Sequence, residues 1–190
     1  MPTKAHWIVG LYMDDNGYYG FDGEMDADTF LTAARHVGRN NGPGLLLDLF
    51  CQGSIDVVKH PELVADVWSS AEFPVNNLDP YMWVELFDEA GYTHGGQPAQ
   101  RPTQPIELYR GCHRERHLGI SWTTDPARAQ WFADRDLGKG IGHVYVHRAK
   151  PGELLAYIHT EHGRGEAEYV IDPNFLNDDN VHEAILAGVA

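Results

Sequence analysis

Three short motifs in the second half of the chain carry residue types that do chemistry: Tyr109-Arg110-Gly111, Ser121-Trp122-Thr123-Thr124 and Glu166-Ala167-Glu168. An arginine offers a planar, permanently charged fork that matches a pyrophosphate better than a lysine does. Each motif lies on a strand-like segment, and in extended chain alternate side chains share a face. Ser121 and Thr123 therefore line one surface, Ile120 and Trp122 the other, and Glu166 and Glu168 share a face two residues apart. A fixed carboxylate such as Glu168 can hydrogen-bond a ribose 2′-hydroxyl and stabilise the oxocarbenium-like charge that builds when a glycosidic bond breaks. The second carboxylate, Glu166, can orient or deprotonate the attacking nucleophile. Together these residue types suit a nicotinamide dinucleotide cleft.

The elements that must position them are strands expected at 106–109, 120–123, 143–147, 154–158 and 167–171, broken by turns at 150–153 and 162–165. Asp125-Pro126 caps and opens a helix running through Phe132. Strands repeated with turn breaks favour antiparallel sheets over a doubly wound one. The first half reads differently. A short strand at 7–11 and acidic turns lead to a helix from Asp28, with Phe30, Leu31, Ala34 and Val37 on one face and Gly38 as its stop. Pro43 opens a second helix over 45–50, and Pro61 a third that carries Trp68 and ends at Phe73-Pro74. Asp79-Pro80 opens a fourth, with Trp83, Leu86, Phe87 and Ala90 at helical spacing and Gly91 after it. Trp68 and Trp83, on regular apolar faces, are core residues. The stretch 92–105, rich in glycine, proline and glutamine, lacks periodicity and reads as a connector. The expectation is an α+β chain forming one domain over 1–190, with an N-terminal helical lobe at 1–91, the connector, and a catalytic core at 106–190.

Composition limits the function classes. The net charge of -14, from 28 acidic against 14 basic side chains, opposes non-specific attraction to nucleic acid or to an anionic membrane. Ten of the basic residues follow position 100, which suits that half to an anionic ligand. Two cysteines, Cys51 and Cys112, give no disulfide framework, and no segment reads as a signal peptide or membrane span, so a reducing cytoplasm is expected. The acidic loops at 14 and 22 fail the calcium-loop pattern. His113 and His117 lie on a loop, and His143 and His147 would stand roughly 13 Å apart on a strand, too far to share an ion. No metal is expected, and Cys112 reads as a structural thiol.

The ordered motifs resemble the mono-ADP-ribosyltransferases of the arginine-serine-glutamate class, to which bacterial toxins and small phage-encoded transferases belong. The resemblance covers about residues 106 to 172: Tyr-Arg-Gly, then Ile-Ser-Trp-Thr-Thr-Asp-Pro with a Trp-Phe-Ala helix, then Gly-Glu-Ala-Glu-Tyr-Val-Ile. It implies two small, mainly antiparallel sheets around an NAD cleft, preceded by a helical lobe. It further implies that Arg110 binds the phosphate and ribose region of NAD+, that the Gly111 backbone holds the nicotinamide carboxamide, and that Ser121 braces the cleft and the catalytic Glu168. Glu166 becomes the upstream member of a Glu-x-Glu pair associated with arginine acceptors, and Tyr109, Trp122 and Thr123 complete the cofactor-binding set. Where the family commonly has a small hydroxyl residue after the serine, this chain has Trp122, which changes the packing beneath the cleft. The implied activity is transfer of ADP-ribose from NAD+, as co-substrate, to a macromolecular acceptor, a protein side chain such as arginine. With water as acceptor the chain would be an NAD+ glycohydrolase. The rival reading is a catalytically silent protein whose acidic lobe binds a host partner.

Overall fold

The computed structural model describes residues 3–4, 8–135, 140–159 and 167–185. The chain is α+β and divides into two compact units, residues 1–91 with 96–98, and residues 92–95 with 99–190. Among the described residues no helix is long and apolar enough to cross a membrane.

The first unit opens with an antiparallel meander of β1 (Thr3–Lys4), β2 (Leu11–Met13) and β3 (Tyr19–Phe21). The strand expected at 7–11 starts later, because residues 8–11 close a turn in which Leu11 N donates to Ile8 O at 3.3 Å and Gly10 takes φ 93°. Asp14 closes the following hairpin, its Oδ1 accepting the amides of Asn16 and Tyr18 at 2.9 Å each.

Five helices follow: α1 (Ala27–Val37), α2 (Gly42–Cys51), α3 (Glu62–Ser70), α4 (Pro74–Asn77) and α5 (Pro80–Ala90). Of these, α1 and α5 start on aspartate side-chain caps. Asp26 accepts from Thr29 N at 2.8 Å and Asp79 from Tyr81 N at 2.9 Å, satisfying amides that have no partner inside the first helical turn. Gly38 and Gly91 end α1 and α5 at φ 86° and 75°, a region that L side chains rarely adopt. The short α4 was not anticipated; it is one turn begun by Pro74 at the end of the third expected helix. Trp68 and Trp83 are buried as expected and meet edge to face at 5.0 Å, and the Trp83 indole N–H donates to Pro74 O at 3.1 Å. Asp48 of α2 accepts Tyr19 N at 2.9 Å and so fixes the helix to β3; burial pushes its carboxyl above the usual range.

The stretch 92–105 carries β4 (Thr93–His94) and β5 (Gln97–Pro98) instead of running as plain connector. The chain then forms β6 (Ile106–Cys112), β7 (Ser121–Trp122), α6 (Pro126–Asp134), β8 (His143–Ala149), β9 (Leu154–His159), β10 (Ala167–Ile171) and β11 (Val181–Glu183). In the second unit, four strands of one sheet lie in the order β4-β9-β10-β7, and a second sheet has the order β11-β8-β6. These pairings are antiparallel apart from β4 with β9, which run parallel with Thr93 opposite Ala156. The sheets share a core in which Leu108, Trp122, Tyr145, Leu154 and Ile171 are buried. Helix α6 lies directly on the second sheet. A Cβ on Gly111 would fall 1.6 Å from Ala129 O, and one on Gly142 would fall 1.9 Å from Ala133 O, so glycine on β6 and just ahead of β8 lets the helix backbone come close.

Candidate functional site

The described residues of all three motifs lie in the second unit, and backbone pairing links the strands that carry them. Tyr109 of β6 exchanges two bonds with Thr123, N to O at 2.7 Å and O to N at 2.9 Å. One residue earlier, Trp122 stands opposite Tyr169 and Ser121 opposite Val170, and Ile171 N donates to Ile120 O at 2.9 Å. Continuing that register by one position sets Glu168 across from Thr123. The strands carrying arginine, serine and glutamate thus run side by side as β6, β7 and β10.

Pleat decides what each side chain faces. Glu168, Val170 and Ser121 share one face of the four-stranded array; Tyr169 and Trp122 share the other. Glu168 is half-buried on β10, with Ile158 of β9 as its other cross-strand neighbour. Glu166 falls outside the described residues. Ser121 is half-buried, whereas Thr123 is buried and its Oγ1 accepts Asp125 N at 3.1 Å, ahead of α6. Trp122 is 2% exposed, and its indole N–H donates to Gly119 O at 2.7 Å. The bulky residue at this position therefore fills the core between the sheets.

Arg110 is half-buried and more committed than its sequence context suggests. Its Nε donates to Arg116 O at 3.0 Å and its Nη1 to Ser121 O at 2.7 Å, so the guanidinium ties the 113–120 loop to β7. These bonds use two of the five N–H groups of the fork. Gly119 makes the room: a Cβ there would lie 2.3 Å from Nη2. Gly111 follows on β6. Because Tyr109 directs its N–H and C=O toward β7, strand alternation directs those of Gly111 to the same edge, just past the bridge. The Tyr109 hydroxyl donates to the Glu107 carboxylate, which pushes the phenol above its ordinary range.

Cys112 ends β6 half-buried; burial pushes its thiol up, and the nearby Arg110 opposes this only in part. His117 is held from both sides, by Arg114 O at 2.6 Å and Asp178 Oδ1 at 2.7 Å, and His143 meets Glu183 Oε1 at 2.7 Å. Among the described residues no group of three His, Cys, Asp or Glu side chains is placed to hold a metal ion.

Sequence reasoning missed the buried pair of His147 and Glu153, 2.8 Å apart. His147 Nδ1 faces Asn180 O at 3.0 Å, and Nε2 faces the Glu153 carboxylate. Glu153 Oε2 also accepts Lys150 N at 3.1 Å. The available signal was the glutamate three residues after Lys150, a capping arrangement. Equally unforeseen were the roles of Gly119 and of Arg101, whose Nε donates to Leu154 O at 2.9 Å.

Comparison of the chain with protein-family models, with curated proteins and with solved structures finds no match.

Proposed function

We propose that the chain is an ADP-ribosyltransferase of the arginine-serine-glutamate class, that its second unit is an ADP-ribosyltransferase-like core, and that NAD+ is its co-substrate. The observation that carries this reading is that β6, with Arg110, meets β7 at the Tyr109–Thr123 bridge, while β7, with Ser121, pairs through Trp122 and Tyr169 with β10, the strand of Glu168. Residues spread over some sixty positions of sequence are brought onto three adjacent strands.

In this reading the bond between ribose C1′ and the nicotinamide nitrogen breaks heterolytically, and both electrons leave with nicotinamide, which departs neutral. Glu168 stabilises the positive charge left on the ribose and holds the 2′-hydroxyl. Ser121, on the same face of the pairing, braces that carboxylate. The acceptor nucleophile closes on C1′ as it gives up a proton, for which Glu166 is the base. The Gly111 N–H and C=O suit a carboxamide, one as donor and the other as acceptor. Arg110 serves the pyrophosphate through the N–H groups not directed at Arg116 and Ser121. Tyr109 and Thr123 contribute the bridge on which the site is built, and Trp122 contributes the core beneath it. The acceptor is a macromolecule, a protein side chain; the charge of -14 argues against a polyanion.

Incubating the protein with biotinylated NAD+ and a cell lysate tests the reading. Nicotinamide release together with label on a lysate protein is the expected result. Nicotinamide release without label would make water the acceptor and the chain a glycohydrolase. Neither product would sink the enzyme reading and leave the binding-protein rival.

A further inference from the structure

Arg110 is held by the 113–120 loop, and the loop is itself held from a distant part of the chain. Its second half is fixed from below: Leu118 packs against the core between the sheets, and the Trp122 indole N–H donates to Gly119 O at 2.7 Å. The first half faces solvent. Arg114, Glu115 and Arg116 form a single exposed helical turn. Yet this turn supplies the Arg116 carbonyl that accepts Arg110 Nε at 3.0 Å. The side chain that ties the turn down is His117. Its Nδ1 meets Arg114 O at 2.6 Å, its ring lies 5.1 Å from the ring of the buried Tyr145, and its Nε2 meets Asp178 Oδ1 at 2.7 Å.

Asp178 lies sixty-one residues further on, just ahead of β11, in a corner that fixes its backbone. Val181 N donates to Asn177 O at 3.0 Å, Asp179 N to Asn177 Oδ1 at 2.9 Å, and Asn177 N to Asn180 Oδ1 at 3.1 Å. The corner is fastened to β8, where His147 Nδ1 faces Asn180 O at 3.0 Å and Val181 stands opposite His147. A carboxylate 86% exposed has water for a partner and needs no other. Its contact with His117 therefore matters for what it holds: a solvent-facing turn, set against a corner built on the central strand of the second sheet.

We infer that His117 and Asp178 are positioning residues for Arg110. They keep the 114–116 turn where the Arg116 carbonyl fixes the guanidinium, and so aim its remaining N–H groups at the pyrophosphate; the identity of that ligand rests on the function proposed above. Without the tether the turn takes up other positions, and only the molecules with Arg116 O in place present Arg110 correctly. Apparent affinity falls in proportion to that fraction. An ion pair with so exposed a carboxylate is a weak one, which bounds the loss at roughly 1.5- to 5-fold. The effect falls on NAD+ binding and not on bond cleavage, which Glu168 serves from β10.

Steady-state nicotinamide release from NAD+ by the intact protein tests this. Asp178→Ala should raise KM roughly 1.5- to 5-fold with kcat unchanged. His117→Ala should raise it at least as much, and His117→Gln, whose amide can still reach Asp178, should restore most of the loss. In an Arg110→Ala background Asp178→Ala should change nothing further, whereas a merely structural role would cost the same in either background. Glu183→Ala removes the 2.7 Å contact that the same C-terminal segment makes with His143, away from the loop, and should leave KM as it is. A KM unmoved by Asp178→Ala, or equally raised with and without Arg110, overturns the inference. Urea unfolding gives a reading that needs no activity: His117→Ala and Arg110→Ala release the same turn, so their destabilisations should sum to less than the two taken separately. Additive losses overturn the inference. Non-additive losses in a protein that releases no nicotinamide leave the tether standing and overturn the transferase reading alone. If His117→Ala fails to fold, Asp178→Ala, at an exposed position, carries both measurements.

Discussion

Replacing Gly119 by alanine probes how Arg110 is held, and the outcome can be worked from distances. The new Cβ would stand 2.3 Å from Arg110 Nη2, 2.5 Å from Cζ and 3.0 Å from Nε, so the guanidinium must move. Being the end of a flexible side chain it can swing away, and the loss falls on its hydrogen bonds to Arg116 O and Ser121 O, at 3.0 and 2.7 Å. Bonds from a charged donor are worth about 1.5–3 kcal/mol each, and half-exposure puts these at the lower end. Losing both, with part recovered by hydration, costs about 2–3 kcal/mol. Against that, Gly119 is not among the positive-φ glycines, and glycine to alanine in a permitted conformation stabilises by about 0.4–1 kcal/mol through the unfolded chain. The net expectation is a destabilisation of about 1–2.5 kcal/mol in urea unfolding, read as a lower midpoint at constant slope. The sign should reverse when Arg110 is already alanine: Gly119→Ala then becomes neutral or stabilising. A double-mutant cycle should therefore give a coupling of about 2–3 kcal/mol. A coupling below about 0.5 kcal/mol, the level expected of independent sites, would refute the reasoning.

Two further perturbations follow from buried groups. His147→Ala leaves Glu153 buried without its partner, and breaking a buried pair in this way costs about 3–5 kcal/mol; thermal unfolding should fall by roughly 2–4 °C per kcal/mol in a chain of this size, and an unchanged midpoint would contradict the pairing. Asp48 has its folded pKa raised by burial, so its ionisation opposes folding: the wild type loses stability as pH rises from the ordinary carboxylate value through the raised one. Asp48→Asn keeps an acceptor for Tyr19 N, so it should be at least as stable as wild type at pH 7, with the difference closing as pH falls below the ordinary carboxylate range; chemical denaturation at pH 3 and pH 7 reads this.

What the sequence disclosed depended on how local the cause was. The limits of α1 and α5 follow from Asp26, Gly38, Asp79 and Gly91, which act within a turn of where they stand. The existence of β6 and β10 was legible from short runs bounded by turn residues, but the strand expected at 106–109 runs on through Arg110 to Cys112, because β8 pairs with it as far as His143. The two residues of β4 have no period to detect; Thr93 and His94 are extended because β9 pairs with them from sixty residues away. Likewise, nothing local predicts that Arg110 reaches the carbonyls of Arg116 and Ser121, because those bonds exist only once the 113–120 loop has closed. His147 was weighed against His143 as a possible metal ligand, when its partner was Glu153, across a turn, and the carbonyl of Asn180, thirty-three residues on. Trp122 stood out as a departure from the family pattern, and burial among Leu108, Leu154 and Ile171 gives its physical reason.

The measurement that bears most directly on the central claim is the rate of nicotinamide release from NAD+ by wild type and by Glu168→Gln, compared at matched folding stability. Glutamine keeps the shape and loses the charge, so loss of electrostatic stabilisation at the ribose should lower the rate roughly 10²- to 10³-fold. Equal rates for the two proteins, or no release by wild type, would contradict the assignment of Glu168 as the catalytic carboxylate.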